Sequence, residues 1–425
     1  MDNTAKATSM QELHTVRVII LCALVILLEG FDLQAAGVSV PRLAPYFHLL
    51  PGQVGLFLGA SAVGVFLAAA LGGLLADRFG PKPVLVGGVA LFGLASLSTM
   101  LATGLGTLMV ARFFTGIGLG AAMPVVIALA SDHSPAEMKK RAVGFIYCAI
   151  PIGGMLSSVV LSIGALGKGW QPVYVVGGIA PVIIAPLLAL FVPKALPSAA
   201  TRPGTESGPK SKVISGLLGS GQAATTIYLW VATFSTLVVM YLLLGWMPSL
   251  LGAMGFSKQQ AQYAQMLFNL GGSLGTAMGG YLLDRKFLYS TPAAAYVGLA
   301  IFLALLGFGS LTVNSALVVA FGVGAAVLIG QGVLYAFAPL CYPASIRNTG
   351  VGATVAAGRL GTIAGPLLAG ALLGTGRSAA QVLIVLVPIT LFAGLMSLLV
   401  VREIKRKEVA SAENAAVAGS AAGNA

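Results

Sequence analysis

Residues Gly73-Leu74-Leu75-Ala76-Asp77-Arg78-Phe79-Gly80-Pro81-Lys82 close one long apolar run and open the next. Their core, G-x-x-x-D-R, returns 207 residues later as Gly280, Asp284 and Arg285, again at the end of an apolar run. A shift of 208 then aligns Pro135 with Pro343, Lys139 with Arg347, Gly144 with Gly352 and Gly153 with Gly361. One such match means little; together they mark a duplicated half.

Around these loops lie twelve apolar runs of the length that crosses about 30 Å of hydrocarbon. They cover residues 18 to 40, 52 to 75, 84 to 103, 107 to 130, 142 to 164, 172 to 192, 225 to 251, 261 to 283, 293 to 313, 316 to 339, 350 to 373 and 380 to 401. The first follows a 17-residue polar start, contains Glu29 and Asp32 and has no small-residue cleavage site, so it reads as a retained span and not a removable signal peptide. Composition agrees: 57% of residues are hydrophobic and 8% charged, with a mean hydropathy of +0.95, where soluble domains carry about 25% charged residues. The 56 glycines fit helices that approach closely in lipid. The fold class is therefore all-α and integral to the membrane, twelve transmembrane helices in two six-helix pseudo-symmetric halves.

Basic residues set the expected orientation. With the N-terminus inside, 18 Lys and Arg fall in cytoplasmic segments and four in the opposite loops, and Arg112 and Arg359 lie within spans. The net charge of +12 thus reports topology and not nucleic-acid binding. Residues 1–17 form a cytoplasmic tail, 18–192 the first half, 193–224 a Pro- and Ser-rich cytoplasmic linker, 225–401 the second half and 402–425 a second cytoplasmic tail. Beyond Glu408 that tail is Ala-rich and reads as frayed or disordered. Cys22, Cys148 and Cys341 are scattered singly and read as small hydrophobes.

Ten of the twelve Asp and Glu lie in tails or loops; Glu29 and Asp32 alone are embedded. An ionised side chain at a helix centre costs roughly 2.5–3.5 kcal/mol on insertion scales, so such groups face partners or a wet cavity. At 1.5 Å per residue Asp32 and Arg112 both lie roughly 10 Å deep from the same membrane face, which makes them candidate partners. Arg359 reaches mid-membrane in a half without an embedded carboxylate. Either a substrate carboxylate or a cross-half pair with Glu29 would relieve its charge. Two carboxylates three residues apart share a helix face and do not both stay ionised cheaply, which points to proton coupling through Glu29, Asp32 and Arg112. No G-x-x-x-x-G-K-[ST] loop or catalytic cluster occurs. The chain therefore reads as a non-enzyme without a cofactor, powered by an ion gradient.

The Gly73 to Lys82 loop resembles the signature between helices two and three of the major facilitator superfamily, and Arg112 with Gly116, Gly118 and Gly120 resembles its helix-four motif. Glu29-Gly30-Phe31-Asp32-Leu33-Gln34 is similar to the first-helix D-G-x-D signature of the aromatic acid:proton symporter family, with the leading Glu of its hydroxyphenylpropionate branch. The stretch from Gln331, Leu334-Tyr335-Ala336 and Arg347-Asn348-Thr349-Gly350 to Gly358-Arg359-Leu360-Gly361 and Gly365-Pro366 resembles that branch too. One departure stands out: Pro81 and Pro83 flank a single Lys82 where that family carries more basic residues.

The resemblance implies import of an aromatic carboxylate with protons across a bacterial-type inner membrane, by a chain that works as a monomer in the bilayer. Arg359 would anchor the carboxylate, Tyr241, Trp246 and Phe268 would wall the ring, and Asn269, Gln331 and Tyr335 would bond a ring hydroxyl. It also implies that Gly73, Asp77, Arg78, Asp284, Arg285 and Arg347 form a cytoplasmic gate, where the bland alternative is loop anchoring. Two further readings stay open: a drug/proton antiporter of the same superfamily and a non-transporting membrane receptor. Arg359 favours an anionic cargo over the first, and the lack of a sizeable soluble domain argues against the second.

Overall fold

The computed structural model describes residues 2–132, 139–164, 167–192, 217–219, 221–283, 290–343 and 346–422. They form α1 (Asp2–Tyr46), α2 (Pro51–Phe79), α3 (Pro81–Ser98), α4 (Leu105–Asp132), α5 (Lys139–Ile163) and α6 (Gln171–Phe191), then α7 (Ala223–Ala253), α8 (Lys258–Leu283), α9 (Thr291–Phe308), α10 (Val313–Cys341), α11 (Arg347–Gly374) and α12 (Ala379–Ala422). Among the described residues nine helices are long and apolar enough to cross a membrane.

Starts and stops follow local chemistry. Proline occupies the first position of α2 and α3, where its missing N–H costs nothing. Helices α8 and α12 begin with matching capping boxes: the Ser257 amide donates to Gln260 Oε1 at 2.9 Å, and the Ser378 amide to Gln381 Oε1 at 2.9 Å. Gly80, at φ 88°, turns the chain between α2 and α3 in a conformation that a side chain disfavours.

The duplication is visible in the packing. Helix α1 packs on α5, α2 on α4 and α3 on α6; α7 packs on α11, α8 on α10 and α9 on α12 in the same pattern. Individual contacts repeat at the same shifts. Gly153 of α5 lies against the Leu27 carbonyl of α1, and Gly361 of α11 lies against the Phe234 carbonyl of α7. At the neighbouring contact the small residue changes sides: Gly30 of α1 meets Ile150 of α5, whereas Gly358 of α11 meets Leu237 of α7. At Gly30, Gly153 and Gly361 backbones approach at a distance only glycine permits, and at Gly358 the Leu237 and Thr233 side chains fill the space a Cβ would take.

The halves meet along α2 with α11, α5 with α8 and α1 with α7. Added Cβ atoms at Gly55 and Gly370 would stand 3.4 and 3.1 Å from the other glycine's Cα, so α2 and α11 cross there almost backbone to backbone. Both residues lie toward the face opposite the chain termini, and that end of the seam is shut. Toward the face of the termini α4 and α5 do not pack closely against α10 or α11 among the described residues, and the halves part.

The C-terminal tail differs from its sequence reading. Helix α1 already begins at Asp2, and α12 continues to Ala422 instead of fraying after Glu408. Alanine is the strongest helix former, which lets α12 extend beyond the apolar run. Lys407 secures this extension by donating to Gln222 Oε1 at 2.7 Å, Thr225 Oγ1 at 3.2 Å and the Cys341 carbonyl at 3.3 Å. Most of the 193 to 224 linker, from 193 to 216, lies outside the described residues.

Candidate functional site

Asp32 and Arg112 form a closed ion pair inside the N-terminal half. Arg112 Nη1 donates to Asp32 Oδ2 at 2.9 Å and Oδ1 at 3.1 Å, and its Nη2 donates to the Asp32 backbone carbonyl at 3.2 Å. Ser96 Oγ of α3 donates to Asp32 Oδ1 at 3.0 Å, so three helices meet at one carboxylate. Both members of the pair are 0% exposed. Beside them Tyr174 shares a 3.0 Å hydroxyl bond with Ser39. Paired this tightly, the charges repay much of the cost of leaving water.

One turn earlier on α1, Glu29 is also buried yet makes no hydrogen bond or salt bridge among the described residues. Its electrostatic neighbours are Arg359 across the cavity and Asp32 on its own helix. Arg359 in turn has Tyr241, Tyr335, Glu29 and Tyr147, of α7, α10, α1 and α5, as its electrostatic neighbours. It is half-buried and pairs with no carboxylate among the described residues. A guanidinium with several phenols among its electrostatic neighbours can bind a planar anion through its two-pronged fork.

Beyond Asp32 on α1, a cluster of amides links α1 to α8. Gln34 Nε2 of α1 donates to Asn269 Oδ1 at 2.6 Å, while Asn269 Nδ2 at 2.7 Å and Gln265 Nε2 at 3.0 Å donate back to Gln34 Oε1. Further along α8, Gln262 Nε2 donates to the Val38 carbonyl at 2.9 Å. These bonds join the two halves through neutral groups.

The structure sorts the sequence-derived candidates. It pairs Asp32 with Arg112 and gathers Glu29, Arg359, Tyr241 and Tyr335, with Gln331 half-buried one turn before Tyr335. Trp246 does not face this group: its Nε1 donates to the Pro366 carbonyl at 3.1 Å, within the C-terminal half, and its ring borders a groove of about 530 Å³ near Pro41 and Phe256. Phe268 is 1% exposed and packs in the core, its carbonyl against Gly324 of α10. Asn269 is engaged with Gln34 and is not a free donor to a ring. Of the gate residues, Arg78 is exposed, its guanidinium 5.4 Å from the Phe79 ring centroid, and Arg347 is exposed at the start of α11. Gly73 and Asp77 belong to α2, but the Asp77 side chain and all of Asp284 and Arg285 lie outside what is described. Sequence reasoning missed Tyr147, Gln262 and Gln265, which are polar residues within spans; their depth could have been read, but not the direction they face.

Known proteins match this picture. The Major Facilitator Superfamily model matches residues 22–354. A 3-(3-hydroxyphenyl)propionate transporter of Escherichia coli K12 is 41% identical over 375 residues, 88% of this chain and 91% of that protein. The 4-hydroxybenzoate transporter PcaK of Pseudomonas putida is 32% identical over 86% of this chain and 88% of its own length. Among solved structures, the inward-open xylose transporter XylE of E. coli superposes with a TM-score of 0.73, at 18% identity and over 90% of this chain and 95% of that one, a likeness of fold. A duplicated six-helix unit, a seam that shuts at one face and parts at the other, and matches along most of its length identify the chain as a membrane transporter, not an enzyme, and a member of the major facilitator superfamily.

Proposed function

We propose that the chain is a secondary carrier that imports an aromatic carboxylate, of the hydroxyphenylpropionate or hydroxybenzoate type, together with protons. The observation that carries this reading is Arg359: a cation at mid-membrane, half-buried, unpaired among the described residues and ringed by Tyr241, Tyr335 and Tyr147. A substrate carboxylate supplies its missing partner in a bidentate contact, and the phenol rings supply flat walls. The 3-(3-hydroxyphenyl)propionate transporter and PcaK carry hydroxylated aromatic acids, as their names state, which supports the same cargo here.

Glu29 faces the same cavity, so an ionised Glu29 and an incoming anion compete for Arg359. Protonation of the carboxylate pair formed by Glu29 and Asp32 removes that competition and makes entry of an anion with one proton electroneutral. Rocking of one half against the other then exposes the site alternately to either face. The excess of basic residues, 18 against four, supports placing both termini and the 193 to 224 linker in the cytoplasm of a bacterial-type inner membrane. The chain acts as a monomer, since each half completes the other.

Proteoliposomes loaded with a pH-sensitive dye test the coupling. Addition of 3-(3-hydroxyphenyl)propionate outside is expected to acidify the lumen of wild-type vesicles and to leave vesicles of the Glu29→Gln, Asp32→Asn double variant unchanged. Full proton uptake by the double variant would refute the assignment, and uptake that follows sodium instead of pH would replace the coupling ion.

A further inference from the structure

The N-terminal wall of the cavity offers Tyr147 beside Glu29. Tyr147 stands eight residues beyond Lys139, about 12 Å along α5 at 1.5 Å per residue. Helices α1 and α5 are locked side by side where Gly30 lies against Ile150 and Gly153 against Leu27. Tyr147 is one turn before Ile150 and Glu29 immediately precedes Gly30, so both lie near this crossing, within about one turn of each other along the helices. The tyrosine is 36% exposed although it sits mid-helix, and its electrostatic neighbours are Glu29, Tyr335 and Arg359. A tyrosine turned to lipid is favoured at the headgroup level; this one faces charged groups across the cavity. Its hydroxyl has no hydrogen-bond partner among the described residues.

We propose that the Tyr147 hydroxyl donates to the substrate carboxylate that Arg359 holds, so that the two halves grip one group from opposite sides of the cavity. The assignment rests on an aromatic carboxylate being the substrate. A carboxylate has two oxygens with about four acceptor sites, and a guanidinium fork takes two of them in its own plane. The sites left over need a donor from the other wall. Glu29 is an acceptor of like charge when ionised and a donor only while it holds a proton, whereas the Tyr147 hydroxyl is a donor throughout. Tyr241 and Tyr335 belong to the same half as Arg359, so their hydroxyls do not join the halves. Tyr147, on α5, does. A ligand contact that exists only when the walls close gives the substrate differential affinity for the closed state, the condition for driving the rocking motion.

Calorimetric titration of the purified full-length chain with 3-(3-hydroxyphenyl)propionate tests this. Tyr147→Phe keeps the ring and its packing, and is expected to lose about tenfold in affinity, the scale of a hydrogen bond to a charged group. If Tyr147 and Arg359 hold one carboxylate, the loss shrinks in an Arg359→Lys background, because the two changes are coupled. A probe without the carboxylate, 3-ethylphenol, should bind Tyr147→Phe and wild type alike. Wild-type affinity for the acid in Tyr147→Phe, an equal loss for 3-ethylphenol, or an undiminished loss in the Arg359→Lys background would each overturn the assignment. Failure of the wild type to bind this acid or 4-hydroxybenzoate would instead sink the substrate class, and this contact with it.

Discussion

In the N-terminal half Asp32 of α1 faces Arg112 of α4; at the equivalent places of the C-terminal half, reached by the same shifts of 207 and 208, stand Val239 and Ala320, both buried. Arg359 has Pro151 as its counterpart, Glu29 has Thr236 and Tyr147 has Val355. The backbone contacts repeat while the charges do not. The N-terminal half keeps a cation sealed against a carboxylate, 0% exposed. In the C-terminal half the cation is turned into the cavity and left without a protein partner among the described residues. Two arginines in one duplicated frame therefore stand differently: Arg112 joins helices through its ion pair, and Arg359 is the residue to which the proposed function gives the substrate carboxylate. Function in this chain is written in the departures from its own symmetry.

The largest expected effect comes from opening the sealed pair. Arg112→Ala leaves the Asp32 carboxylate buried without its cation, a loss of about 3–5 kcal/mol for a buried pair. Detergent-solubilised protein should show a sharply lower unfolding temperature and yield. An Arg112→Ala protein as stable as wild type would contradict the sealed-pair account. Asp32→Asn is expected to be destabilising too, because Arg112 is then buried without its counter-ion although Ser96 can still donate to the amide oxygen.

Next in size is the effect of Glu29→Gln, which removes the carboxyl group that shares the cavity with Arg359. Accumulation of substrate against a gradient should fall to the equilibrium level, while exchange across equal concentrations persists. Loss of exchange in equal measure would make Glu29 a structural residue and blur the contrast between the halves.

How much of this could be read from the chain depends on which coordinate is asked for. Depth is legible: the rise of 1.5 Å per residue brought Asp32 and Arg112 to one level, and the ion pair is there at 2.9 Å. The repeat is legible too, since Gly153 and Gly361 align by number and make matching contacts. Rotation about each helix axis is not. It is fixed by backbone contacts such as Gly30 with Ile150, which turn Tyr147 toward the cavity, and by hydrogen bonds such as Trp246 with the Pro366 carbonyl, which turn that ring away. Hydropathy gives no warning in helices of mixed neighbours, because a lipid-facing and a seam-facing residue count alike. The amide cluster escaped for a related reason: a lone Gln in a span is unremarkable until its partner helix is known.

That cluster offers a smaller test. Gln265→Ala removes the bond to Gln34, a neutral hydrogen bond of about 1 kcal/mol. Spin labels on the far ends of α1 and α8 should then report a several-fold larger population with the seam open at that face. An unchanged distance distribution would show that the glycine crossing of α2 and α11 holds this face alone. Smallest is Trp246→Phe, which loses one bond to the Pro366 carbonyl. It is expected to lower stability by about 1 kcal/mol and to leave substrate affinity unchanged; a large loss of affinity would return Trp246 to the cavity.

The central contrast, a sealed arginine in one half and a ligand-seeking arginine in the other, is tested most directly by thermal unfolding of Arg359→Ala with and without saturating 3-(3-hydroxyphenyl)propionate. A ligand that binds only the folded carrier raises the unfolding temperature, and wild type should show that rise. The account predicts that Arg359→Ala unfolds at or above the wild-type temperature without ligand, having lost an unpaired buried charge, and that ligand no longer raises it. A variant that is destabilised like Arg112→Ala, or that keeps the full ligand-induced rise, would contradict it.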